Sequence, residues 1–356
     1  AHEYKVMGLA PYSKEKTLKD AYNVFKEGMY IDGLNFKWNI KPKDTFFWYK
    51  ERLENCRFDG IAGGLQKYFE EIMLEYTSNA LSKYKCDQLV FSGGLSMNVK
   101  ANMLIKDING LNNMFVPPSG GDESLAIGAC YAYLDQIEDK HDMIPIDDAY
   151  LGPDVKVNDT KEVLKVANED GFYIDKNDND KIVEMLISGK VIGRCVGRME
   201  FGARSLGNRS IIADARNSEI IQVINEKIKN RDFWMPFAPS IIEEACDDLF
   251  VNNKRLQAPY MTMAFESTNE GAKNLSAAIH PADKTLRPQI VSKKMNKQYH
   301  DLISKFMERT NVGGILNTSF NLHGHPVVNT AQDAYRVFKD TDIDVLLFEN
   351  HFISKS

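Results

Sequence analysis

Apolar positions along the chain change period several times, and each change predicts an element. Over residues 61–84, Leu65, Tyr68, Phe69, Ile72, Met73, Tyr76 and Leu81 recur at helical spacing, which predicts a long amphipathic helix facing a core. Gln88, Leu89, Val90 and Phe91 read as a buried strand, with a helix reaching about Lys106. Met114, Phe115 and Val116 give a second strand, followed by a helix that holds Ala126, Ile127, Ala129, Cys130 and Ala132. Between about 136 and 160 the periodicity fades among Pro145, Pro153 and several aspartates, which marks a domain boundary. Beyond it come helices near 161–167 and 180–188, strands at 191–196 and 210–213, and a helix at 217–229 striped by Ile220, Ile221, Ile224 and Ile228. A helix at 297–310, a strand at 313–316, a helix at 331–338 and a strand at 345–348 complete the pattern. Such alternation predicts α/β layers. Two domains, 1–145 and 146–356, are expected.

Composition narrows the partners. The 356 residues are 43% hydrophobic and 26% charged with a formal charge of -6, an ordinary balance without the broad basic surface that nucleic acid or an anionic membrane attracts. Any phosphate binding must be local. Five cysteines, Cys56, Cys86, Cys130, Cys195 and Cys246, are widely spaced without a C-x-x-C pair, so neither a disulfide framework nor a zinc cluster is predicted and the reducing cytoplasm is expected. No run of 18 apolar residues predicts a membrane span.

Candidate chemistry concentrates in loops that follow strands. Residues 197–210, GRMEFGARSLGNRS, interleave Gly197, Gly202 and Gly207 with Arg198, Arg204 and Arg209. Glycines admit a close ligand and guanidinium forks fit phosphate or carboxylate, so the loop reads as an anion cradle. Individual arginines could instead pair with Glu200 or Asp214. Gly93 and Gly94, between a strand and a helix, offer either phosphate-facing N–H groups or a tight turn. Asp122 opens a helix, where a carboxylate serves as a cap. Lys227, Lys229 and Arg231 end a helix, where cations complement its dipole. Lys5 to Tyr12 would by itself form a turn with an exposed lysine, and His280 to Gln289 a polar loop with a surface Arg287. Asn317, Thr318, Ser319 and Asn321 carry donors for phosphate on what reads as a strand-ending loop, while His323 and His325 read as turn residues.

The segment GRMEFGARSLGNRSI resembles a signature of the O-carbamoyltransferases of nodulation-factor and antibiotic biosynthesis. RDFWMPFAPS, HPADKTLRPQ and NTSFNLHGHPVV agree in the same order, and the resemblance runs over essentially the whole chain. It implies a truncated actin-like ATPase domain, with Lys5, Gly8, Gly93, Gly94 and Asn98 near its nucleotide, followed by an α/β domain similar to threonylcarbamoyl-AMP synthases. In that second domain Arg204, Lys229, Arg231 and Arg287 would neutralise phosphate, Asn317 and Ser319 would orient a carbamoyl group, and Thr318 and Asn321 would assist in binding. The implied reaction makes carbamoyladenylate from carbamoyl phosphate and ATP with Mg2+, then passes the carbamoyl group to a hydroxyl of a small metabolite or sugar. A homodimer is left open.

Two departures qualify the resemblance. Relatives bind Fe2+ or another divalent metal through an aspartate matching Asp122 together with an H-x-x-x-H pair, which this sequence lacks and which would precede residue 1. Many members also carry Arg where Met235 stands. The alternative is therefore a nucleotide-binding module with a structural or regulatory role, catalytically incomplete.

Overall fold

The computed structural model describes residues 3–137, 144–229 and 232–355. Its first region begins with helices α1 (Glu3–Leu9) and α2 (Glu15–Gly28), the hairpin strands β1 (Met29–Asp32) and β2 (Asn35–Trp38), and helix α3 (Thr45–Leu53). Then come α4 (Phe58–Tyr84), β3 (Gln88–Val90), α5 (Val99–Ile105), β4 (Asn113–Phe115) and α6 (Leu125–Ile137), with β3 and β4 paired in parallel. The long helix predicted from residue 61 is α4, starting three residues earlier. Its glycines let α2 come close: a Cβ on Gly64 would stand 2.6 Å from the Tyr22 backbone nitrogen. Residues 5–12 are not a turn. They form α1 and a 3-10 turn, Ala10–Tyr12, in which Pro11 sits at the start, where its missing N–H leaves no bond unmade.

The second region builds one mixed sheet. Its elements in chain order are α7 (Val157–Glu169), β5 (Tyr173–Lys176), α8 (Asn179–Ile187), β6 (Ile192–Cys195), β7 (Arg209–Ala213), α9 (Glu219–Ile224), β8 (Ala238–Ile242) and α10 (Cys246–Leu249). They continue with β9 (Phe265–Glu266), α11 (Asn269–Asn274), β10 (Thr285–Leu286), β11 (Gln289–Val291), α12 (Lys297–Thr310), β12 (Gly314–Ser319), α13 (Ala331–Asp340), β13 (Val345–Leu347) and β14 (His351–Ser354). Among the described residues the sheet runs β11-β8-β12-β7-β6-β13-β14-β5, and β9 pairs with β10 apart from it. Only β11 with β8 and β6 with β13 are parallel, the other neighbours being antiparallel. β6, β7 and β8 are buried at every position, which explains why their apolar runs do not alternate. Phe320 lies against Gly193 in the middle of this core, where any side chain at residue 193 would strike its ring.

Two boundaries differ from expectation, and both matter. β12 continues through Ser319, so Asn317 and Thr318 are strand residues held in register with Ile212 and Ile211 of β7. After α9 the helix widens into a π-helical turn, Asn225–Lys229, a device often found where a side chain must be re-aimed.

The two regions are bonded to each other along α5. Asn102 donates to the Thr262 carbonyl at 2.7 Å, Ala264 N–H to the Val99 carbonyl at 3.1 Å, and Thr262 Oγ1 to the Val116 carbonyl at 3.2 Å. Beyond the end of α5, the Lys254 ammonium donates to the carbonyls of Lys106, the residue that caps the helix, and of Ile108 and Leu111 in the turn that follows. Replacing Lys254 by Met should lower unfolding stability by about 2 kcal/mol, the value of charged hydrogen bonds left unmade. Denaturant unfolding of both proteins checks this. An unchanged midpoint would mean that water replaces the ammonium at no loss.

Candidate functional site

The loop read as an anion cradle is organised by an anion of its own. Glu200 Oε1 accepts backbone N–H groups from Leu206 at 2.8 Å, Asn208 at 2.7 Å and Arg209 at 3.1 Å. Gly202 and Gly207 make the path around it, at φ +113° and +112°, where L side chains are strained. A Cβ on Gly207 would stand 2.5 Å from the Tyr299 ring, and one on Gly202 2.6 Å from the Pro118 carbonyl oxygen.

Two of the three loop arginines are taken up by protein, though by backbone carbonyls and not by the Glu200 or Asp214 carboxylates offered as local partners. Arg209 is fully buried and donates to the carbonyls of Val196 at 2.7 Å, Asn208 at 3.0 Å and Asn329 at 3.3 Å. Arg198 donates to the carbonyls of Leu151 at 2.7 Å and Gly152 at 3.0 Å. A guanidinium at the end of a strand can serve the chain's own carbonyls as well as a ligand's oxygens, and sequence alone does not distinguish them. Arg204 is the one that lines a cavity.

That cavity, of about 490 Å³, opens between α1, the start of α5, the loop before β7, the start of β8 and the end of β12. It gathers Arg204, Lys229, Arg287, Asn317, Thr318, Ser319 and Asn321, drawn from separate segments of the second region. Arg231 lies outside the described residues. The π turn delivers the buried Lys229 ammonium to Asn321 Oδ1 at 2.6 Å, the Asn321 carbonyl at 3.0 Å, Ser319 Oγ at 3.2 Å and, closer still, the Ser319 carbonyl.

Beneath the cavity a chain of side-chain bonds fixes Asn317. Gln289 Nε2 donates to the Leu206 carbonyl at 2.7 Å, so its Oε1 faces Ser240, which donates to it at 2.7 Å. Asn317 Nδ2 in turn reaches Ser240 Oγ at 2.9 Å and the Ser205 carbonyl at 3.1 Å. This arrangement leaves Asn317 Oδ1 as the atom turned away from the network. It has no hydrogen-bond partner among the described residues, although Asn317 is 2% exposed. A desolvated acceptor of this kind calls for a donor from a ligand or a water. Gln289 thus serves as a structural member of this network.

Lys5 and Gly8, expected beside the glycine pair of the first region, line this cavity instead. The Lys5 ammonium pairs with Asp232 at 2.8 Å, and that carboxylate raises the lysine pKa. The Gly8 carbonyl meets His280 Nε2 at 2.9 Å, and a Cβ on Gly8 would lie 3.1 Å from Met235 Sδ. Asp232 and His280 lie within the segments RDFWMPFAPS and HPADKTLRPQ without being singled out by them, whereas Lys100 has no local signal because it reaches the cavity only through contact between the two regions.

The remaining candidates lie elsewhere. Asn98 caps α5, accepting from Ala101 N–H at 3.0 Å, and exchanges two hydrogen bonds with Gln66. Gly93 takes φ +97°, with open space around both it and Gly94. Asp122 begins a 3-10 turn. Among the described residues no three His, Cys, Asp or Glu side chains converge to hold a metal. A lone carboxylate does not fit a divalent metal centre.

The family descriptions Carbamoyltransferase N-terminus and Carbamoyltransferase C-terminus match residues 1–131 and 183–355. The chain belongs to the carbamoyltransferase family. It is 33% identical to an uncharacterized protein of Methanocaldococcus jannaschii over 99% of its own length and 59% of that protein's. It is 30% identical to nodulation protein NolNO of Sinorhizobium fredii, covering 99% of this chain and 53% of NolNO. It is likewise 30% identical to nodulation protein NolO of Bradyrhizobium diazoefficiens, covering 99% of this chain and 66% of NolO. It thus spans roughly half to two thirds of these relatives' length. Among solved structures, full-length HypF in its phosphate- and nucleotide-bound form aligns with half of the chain and 22% of its own, at a TM-score of 0.35 and 16% identity. No described helix is long and apolar enough to cross a membrane.

Glu200 tests how the carbamoyltransferase loop is held. Glu200→Ala strips three N–H groups of their acceptor and should cost about 2–3 kcal/mol, while Glu200→Gln, which keeps an acceptor oxygen, should cost about half as much. Chemical denaturation of the two variants reads the difference. Equal losses would show that the side chain's bulk, not its oxygen, shapes the loop.

Proposed function

We propose that the cavity over the large sheet makes carbamoyladenylate from carbamoyl phosphate and ATP. One observation carries the reading: Arg204, Lys229 and Arg287 converge with four hydroxyl and amide side chains on a single cavity, in a chain whose overall charge is negative. Phosphorus balance fixes the order of events. Water first releases phosphate from carbamoyl phosphate, leaving carbamate; a carbamate oxygen then attacks the α-phosphorus of ATP, and pyrophosphate departs. Both steps move charge onto phosphate oxygens. Prepositioned cations lower the barrier by meeting that charge without reorganising, and the near-planar forks of Arg204 and Arg287 suit such oxygens. Asn317 Oδ1 is an acceptor in want of a donor, which the carbamoyl NH2 supplies. Ser319 and Thr318 add hydroxyl donors, and Mg2+ would travel with the nucleotide.

The division into a carbamoyl-transfer region, 1–145, with actin-like character and an adenylate-forming region, 146–356, is part of the same proposal. In it, Gly93, Gly94 and Asn98 take the nucleotide part of the intermediate, and a small hydroxyl-bearing acceptor receives the carbamoyl group. No step is assigned to Asp122. The second reading is a nucleotide-binding module that lacks the transfer step.

Labelled ATP and carbamoyl phosphate separate the two readings, because only the first yields pyrophosphate and an adenylate. Arg204→Ala and Arg287→Ala should each slow pyrophosphate release by about a hundredfold with the fold intact. Met235→Arg would add a guanidinium to the cavity wall and should tighten carbamoyl phosphate about tenfold or more, the value of one charged contact. Absence of pyrophosphate from both the wild-type chain and Met235→Arg would leave the binding-module reading.

A further inference from the structure

Besides Lys5, the first region brings one more cation to the cavity, Lys100, which none of the sequence motifs singled out above contains. Lys100, the second residue of α5, lines the cavity with its ammonium 2.8 Å from Asp283 Oδ2 and 3.5 Å from Thr285 Oγ1. The pair is sheltered, with side chains 17% and 26% exposed. Asp283 is itself well anchored, its Oδ1 accepting the Thr285 N–H at 3.0 Å and the Thr285 hydroxyl at 2.8 Å. Burial alone would raise the Asp283 carboxyl, but the Lys100 charge and the Thr285 donors outweigh it and hold the pKa below its usual value, so the carboxylate is ionised at neutral pH.

An ammonium carries three N–H donors, and these two oxygens satisfy at most two. The carboxylate that lines the cavity, Asp232, is paired with Lys5 rather than with Lys100. Lys100 therefore stands at the cavity wall, already aimed by Asp283, with donor capacity left over. An anion that reaches from Arg204 and Lys229 to the α5 side of the cavity must carry charge at several centres, which is the chemistry of a polyphosphate rather than of a single phosphate.

We propose that Lys100 is a polyphosphate-binding residue of the cavity, supplied by the first region, and that Asp283 positions it. The inference rests on the cavity reading above and extends it: the anion site is composite, completed across the contact between the two regions. If the pair were only a structural tie, losing either member would weaken the site alike. If Lys100 binds the anion, the two losses have opposite signs, because removing Lys100 subtracts a contact while removing the Asp283 charge leaves the lysine less neutralised, with only the nearby Glu70 carboxylate still acting on it.

Titration calorimetry of the full chain with inorganic pyrophosphate, at fixed ionic strength, makes the distinction. Lys100→Met should bind pyrophosphate about tenfold more weakly, Lys100→Arg should stay within about threefold of wild type, and Asp283→Asn should bind as tightly as wild type or more so. Unchanged affinity in Lys100→Met, or equal losses in Lys100→Met and Asp283→Asn, overturns the proposal. Should Asp283→Asn fail to fold, the two Lys100 variants decide, and equal losses in both overturn it. Arg204→Ala in the same assay keeps the layers apart. If that variant also binds normally, the cavity reading itself falls; if it binds weakly while Lys100→Met does not, only the role of Lys100 falls.

Discussion

A single carboxylate oxygen sets the geometry on which the candidate site depends. Glu200 Oε1 gathers the N–H groups of Leu206, Asn208 and Arg209, and in doing so turns the backbone between β6 and β7 back on itself. The consequences spread outward. The Leu206 carbonyl is placed to receive Gln289, the Ser205 carbonyl to receive Asn317, and the Arg204 side chain is left on the cavity wall. The loop's N–H groups, which from sequence resemble a nest for a ligand's oxygens, are spent on an internal anion so that the side chains can face an external one.

A second constraint is electrostatic. Arg204, Lys229, Arg287, Lys5 and Lys100 line one cavity, and cations brought together repel unless each is stabilised before a ligand arrives. The structure meets this locally and by different means. Lys229 is wrapped by oxygens of Ser319 and Asn321, Lys5 by the Asp232 carboxylate, and Lys100 by Asp283. Lys5 and Lys100, the two lysines paired with carboxylates, lie on the side that the first region contributes. A negatively charged chain can in this way hold a strongly positive cavity without a broad basic surface.

Much of this molecule could be read from the order of its residues. The α/β class, the long helix α4, the strands flanking the glycine-rich loop and the helix 297–310 follow from local periodicity, which depends only on spacing along the chain. The choice of Arg204, Lys229, Arg287, Asn317 and Ser319 as a group comes instead from the family resemblance of the segments that hold them, since spacing alone leaves Lys229 a helix-end cation and Arg287 a surface residue of a polar loop. The roles of neighbouring arginines were not legible. Arg198, Arg204 and Arg209 share one loop and one side-chain chemistry, and only packing decides that two of them serve backbone carbonyls.

The tertiary structure alone decided where the two regions meet. Lys5, Gly8 and Lys100 lie far from residue 204 in sequence, and nothing in their local patterns points across that gap. They reach the cavity because Lys254 and Asn102 bind α5 to the second region, and because Gly8 leaves room for Met235 beneath α1. Sequence determines which side chains can hold an anion; hydrogen bonds and contacts between distant segments determine which of them face the same space. Local spacing encodes the period of a helix or strand, whereas a composite site is encoded in complementarity between surfaces, and that becomes visible only when both are folded.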